Sequence, residues 1–206
     1  MRGGLLNAAV VVLLTASQPA RSAAPPDFED GFRLLYETKF QQARWQFLEW
    51  EKANPQDPLG HAWEGASYLF EEFYRQGVLT SQFFLDDKKF TTGVDGQPNS
   101  ESRAAFLAAC ATAERLAKGR LAKNPNDPDA LLALTVTAGM LADYASLIDK
   151  HPFDSLRHIH ESETYAKRLL AVKPDSADAY LALGAANDKI GPLPLYGLNQ
   201  IFSARP

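Results

Sequence analysis

One cysteine, Cys110, is all that this 206-residue chain contains. No internal disulfide can therefore brace the fold, and its Ala-Ala-Cys-Ala-Thr-Ala setting reads as a small packing residue on a helix. Positive charge is also scarce. Against 25 acidic residues stand 21 basic ones, a net charge of −4, which excludes the broad electrostatic footprint of a DNA- or RNA-binding surface. Alternating apolar and polar runs of strand length are missing, apart from a short candidate near Phe83 to Leu85. No phosphate-cradling glycine loop, no Gly-x-Ser-x-Gly elbow and no activated Cys/His pair is present. Neighbouring acids such as Glu71 and Glu72 diverge on a helix and make no hydrolytic dyad. No catalytic role and no cofactor is expected.

What the chain does have is a phrase used three times: Asn54-Pro55-Gln56-Asp57-Pro58, Asn124-Pro125-Asn126-Asp127-Pro128 and Lys173-Pro174-Asp175-Ser176. Each copy separates two Ala/Leu-rich stretches with helical periodicity. Proline cannot continue the first helix, and Asp followed by Pro suits the N-cap and first turn of the next. The spacing predicts helices at 28–38, 40–54, 58–76, 100–123, 128–149, 154–172 and 177–190. In the second, Phe40, Ala43, Phe47 and Trp50 share one stripe while Gln41, Gln42, Glu49 and Lys52 face away. The fifth is apolar nearly all round from Leu131 to Leu147 and should be the most buried. With 46% hydrophobic and 22% charged residues, the chain is composed to bury a core.

The first 22 residues read as an export signal. Arg2 precedes an apolar run from Leu5 to Thr15, too short to span a bilayer, and Ala20-Arg21-Ser22 offers small residues for a signal peptidase. The mature chain would begin near Ala23, with no membrane span. No cysteine lies near this cut, which excludes a lipid-modified start. Export without disulfides points to a bacterial periplasm.

On these residues the chain resembles the tetratricopeptide repeat family. Tyr180-x2-Leu183-Gly184 matches the first-helix pattern of that family, and His61-x2-Glu64-Gly65-x2-Tyr68 keeps its Gly and Tyr. Ala43-x3-Phe47 with Pro55 matches the second helix, preceded by Asp30-Gly31-x2-Leu34. The resemblance implies an all-α fold of stacked antiparallel helical hairpins, an α-solenoid, over residues 23–206. It implies interaction with a protein or peptide segment as the default role. The pattern departs from the family in two ways. The closing prolines are 70 and 49 residues apart rather than about 34, and Leu131-x2-Leu134-Thr135-x2-Ala138 replaces the Gly and Tyr.

The main insertion, 77–99, is the expected functional element, as long connections in compact domains often are. Its Phe83, Phe84 and Phe90 follow Tyr68, Phe73 and Tyr74 on the preceding helix, so an aromatic cluster can assemble there. These six are the candidate binding residues. They serve either a partner segment or, as the alternative, a small solute. The competing reading is that the rings pack the insertion onto the array. His158 and His160, with Glu161 and Glu163, do not read as a metal site: residues two apart on a helix point to different sides. His61, His151, Asp86 and Asp87 could join a metal site only through tertiary placement, and no metal is expected. At the other end, Gly191-Pro192-Leu193-Pro194 stops the last helix before the second half of its hairpin. An uncovered apolar face is the expectation there, to be covered by further repeats of a longer chain or by another subunit through self-association.

Overall fold

A computed structural model describes residues 28–85 and 93–190. Among these residues the regular structure is all-helical, with no strand. The helices are α1 (Phe28–Tyr36), α2 (Phe40–Ala53), α3 (Pro58–Arg75), the single turn α4 (Ser81–Phe84), α5 (Ser100–Leu121), α6 (Pro128–Asp143), α7 (Pro152–Val172) and α8 (Ala177–Ile190). The one short candidate for a strand, near Phe83 to Leu85, instead forms the end and C-cap of α4. The Thr80 hydroxyl accepts a hydrogen bond from the Phe83 N–H at 3.3 Å, closing a helical turn where the apolar triplet had suggested extension. The proposed signal segment, Phe90 and residues 191–206 lie outside the described residues.

The recurrent proline phrases make two nearly identical junctions. Pro58 and Pro128 open α3 and α6, with Asp57 and Asp127 as N-caps. The Asp57 carboxylate accepts from the Leu59 N–H at 3.1 Å and that of Asp127 from the Ala130 N–H at 3.0 Å. Each Asp N–H donates back to the preceding Asn carbonyl, at 2.9 Å for Asn54 and 3.1 Å for Asn124, so five residues reverse the chain. Seven positions before each Asp sits a residue that clamps it. Trp50 Nε1 donates to Asp57 at 2.8 Å, and Arg120 donates from Nε and Nη2 to Asp127 at 2.9 and 3.1 Å.

Each long helix packs on the next, and α3 also packs on α6 and α6 on α8. Phe47 of α2 is fully buried against Gly31 of α1, where a Cβ would overlap its ring. Burying such a ring contributes about 1.5–3 kcal/mol. Leu34, Leu35, Phe40 and Ala43 complete that cluster. The centre is α6. By length and composition alone, Pro128–Ile148 could cross a membrane, but 67% of its most apolar window is buried inside the protein, as befits a core helix. Its end widens into a π-helical turn, Tyr144–Ile148, which the sequence period did not reveal. Carbonyls at a helix end lack helical partners, and that of Leu147 accepts from the Val94 N–H at 3.0 Å. The returning arm of the insertion is thereby pinned to α6.

Candidate functional site

Two of the six aromatic candidates are core. Phe73 and Phe83 are buried with Val78, Val94, Phe106 and Tyr144 in one cluster, and Phe106 stacks on Tyr144 at 4.9 Å. Tyr68 packs on the edge of that cluster with the Arg44 guanidinium 3.7 Å above its ring, a cation–π contact. Tyr74 is exposed and lies 5.7 Å from the Phe40 ring, on the α2 side. The backbone of Phe84 belongs to α4, its side chain is outside the described residues, and so is the whole of Phe90. The described rings thus divide between core and surface rather than lining one pocket.

The described arms of the insertion are anchored by a buried carboxylate. Glu72 accepts from Arg75 Nε at 3.0 Å and Nη2 at 2.5 Å, and from Gln76 Nε2 at 2.9 Å. Arg75 and Gln76 also donate to the Gln97 carbonyl, at 2.5 and 3.1 Å. Burial alone would push the Glu72 carboxyl up, but the hydrogen bonds from Arg75 and Gln76 outweigh it and hold the group below its ordinary range.

Open clefts occur elsewhere. One of 660 Å³ runs along α1, lined by Phe32, Tyr36, Arg33 and acidic neighbours. Another of 650 Å³ lies between the first proline junction and the end of α5, with Arg115, Arg120 and Lys123 on its wall. Neither is lined by any of the six candidates. Tyr36, Trp45, Phe70 and Tyr74 are exposed large aromatics on α1, α2 and α3. Tyr180 and Leu181 are exposed on α8, next to the residues outside the description. Cys110 is buried, and burial pushes its thiol well up, as for an inert packing residue.

The histidines separate into two settings. His151, which precedes α7, and His158 and His160 on it each face an acid three residues on, at 3.6, 3.3 and 4.0 Å. His61 is different. Its Nδ1 lies 3.0 Å from Glu51 Oε2 across the α2–α3 junction and 3.8 Å from Glu64 Oε2 on its own helix. The ligand atoms of Glu51, His61 and Glu64 all lie within 4.8 Å of one another, and all three side chains are largely buried. Hydrogen bonding to Glu51, then to Glu64, raises the imidazole from 6.5 to about 9, which favours an imidazolium between the two carboxylates. Residue spacing singled out His61 as a metal candidate but not its partner Glu51. The signal was present: Glu51 and His61 each lie five positions from Gln56, so a hairpin turning there sets them opposite each other.

Comparison with protein-family models, with curated proteins and with solved structures finds no match to this chain.

Proposed function

We propose that this chain is an exported, tetratricopeptide-like scaffold of stacked helical hairpins that binds an extended segment of another protein in the bacterial cell envelope. The observation that carries this reading is the packing order. Successive helices pair, while α3 also meets α6 and α6 meets α8; Phe32 of α1 lies edge-on to Trp63 of α3 at 4.8 Å. Such an order is consistent with stacked hairpins that would set α1, α3, α6 and α8 in one row and α2, α5 and α7 in another. Stacked rows present extended surfaces, and an extended chain is the ligand that fills them. The cleft along α1, with Tyr36 exposed beside Asp30, Arg33 and Glu37, has the mixed aromatic and charged lining of a protein-binding face. The solute alternative needs a hollow beneath the insertion. Phe73, Val78, Phe83 and Val94 fill that region as core, which favours the segment reading.

The test is site-specific photo-cross-linking in cells carrying the full chain. Probes at Tyr36, Phe70 and Tyr74 should cross-link to a common partner segment, and probes at Gln41 and Ala111, in the other row, should not. Equal labelling from both rows, or none from the first, would sink the reading. Intact mass of the exported protein should show a start near Ala23; retention of Met1 would remove the export part alone.

A further inference from the structure

The three proline junctions can be aligned in sequence, and the comparison isolates one of them. Taking Asp57, Asp127 and Ser176 as equivalent, the positions of Glu51, His61 and Glu64 correspond to Leu121, Leu131 and Leu134 in the second junction and to Leu170, Tyr180 and Leu183 in the third. Leu131 and Leu134 are buried core. Where the second junction carries three leucines, Leu134 packing with Ala117 of α5 and Leu131 with Ala166 and Leu169 of α7, the first places an imidazole and two carboxylates. Burying such groups costs stability unless they are paired or bind something.

Their geometry fits a metal ion. Two donors about 2.1 Å from one ion lie about 3.4 Å apart in a tetrahedral site, and the Nδ1–Oε2 separations of 3.0 and 3.8 Å bracket that value. The second oxygen of Glu51, Oε1, is buried without a hydrogen-bond partner, so this carboxylate has unused acceptor capacity. Gly60 makes room for it: a Cβ there would meet Glu51 Cγ at 2.8 Å and Trp50 Cδ1 at 3.1 Å. Glu51 also sits in the last turn of α2, where the helix dipole favours a cation. One imidazole with two carboxylates suits Zn²⁺ better than Ca²⁺ or Mg²⁺, which prefer all-oxygen shells.

We propose that Glu51, His61 and Glu64 form a Zn²⁺ site that clasps α2 to α3, with water completing the coordination. This site does not depend on the segment-binding reading and stands or falls separately.

The experiment is Zn²⁺ titration of the full, tag-free chain after EDTA treatment, with a chromophoric chelator in competition. One equivalent is expected to bind and to raise the melting temperature. Glu51→Gln, His61→Gln and Glu64→Gln should each weaken binding by about ten-fold or more, with helical circular dichroism retained. The double variant His158→Gln/His160→Gln should bind as the parent does. X-ray absorption on the unmutated, zinc-loaded chain should show one imidazole among oxygen ligands, a readout that no folding defect can confound. Absence of binding, binding undiminished by Glu51→Gln, or two or more imidazoles on the ion would overturn the proposal.

Discussion

The first and second proline junctions share their turn, their Asp N-cap, their Pro at the first helical position and a clamp seven residues before the Asp. They differ in what lies between the helices. In the second, Leu131 and Leu134 are core residues, Leu134 with Ala117 of α5 and Leu131 with Ala166 and Leu169 of α7, whereas His61, Glu51 and Glu64 occupy the matching positions in the first. The same backbone device thus supports two kinds of interface. One is sealed by the hydrophobic effect, the other by charges that must satisfy one another. The turn chemistry sets where the helices reverse, and the side chains beyond it decide whether the contact is structural or able to bind.

The comparison breaks most severely if polar groups are moved into the apolar junction. Leu134→Glu would bury a carboxylate without the imidazole that Glu64 has, and should destabilise the protein by more than about 4 kcal/mol or prevent folding. Urea denaturation would measure it, and a loss below about 1 kcal/mol would mean that the second junction tolerates charge. The reverse change is milder. Converting Glu51, His61 and Glu64 together to leucine should leave the metal-free protein unchanged or stabilise it by about 1–4 kcal/mol; a clear destabilisation would show that the charged cluster contributes net stability without metal.

A pH series sharpens the contrast. His61 is raised from 6.5 to about 9 by Glu51 and Glu64, so between those values the folded state binds more protons than the unfolded one. In EDTA, its contribution should be complete below about pH 6.5 and fade as pH climbs through 9. The His61→Gln variant should lose that fall; an identical slope in both proteins would assign it to other groups. The smallest effect concerns the shared part. Asp57→Ala and Asp127→Ala should each cost about 1 kcal/mol through the lost cap, and a marked inequality would mean that the Trp50 and Arg120 clamps differ in strength.

The N-terminal boundaries of most helices were legible because Pro, Asp and Asn act within a few residues of themselves. The N-caps at Asp57 and Asp127 follow from local chemistry, and Pro152 opens α7 two residues earlier than periodicity placed it. Burial of α6 was legible from its all-round apolar surface. The π-helical turn at Tyr144–Ile148 was not, since no residue type dictates it and its carbonyl partner, Val94, lies fifty residues away. Nor could the candidate aromatics be sorted. Phe73 and Tyr74 are neighbours in sequence, yet one enters the core and the other faces solvent.

What the sequence determined alone is therefore the helical class and the places where the chain turns, because these depend on interactions within one or two turns of backbone. Which side chains meet across those turns was decided by tertiary packing. Arg44 over Tyr68, Gly31 beneath Phe47 and Glu51 beside His61 all join residues from different helices. Their meeting depends on the crossing of rigid rods, which a small change in register would undo, and no local propensity records it.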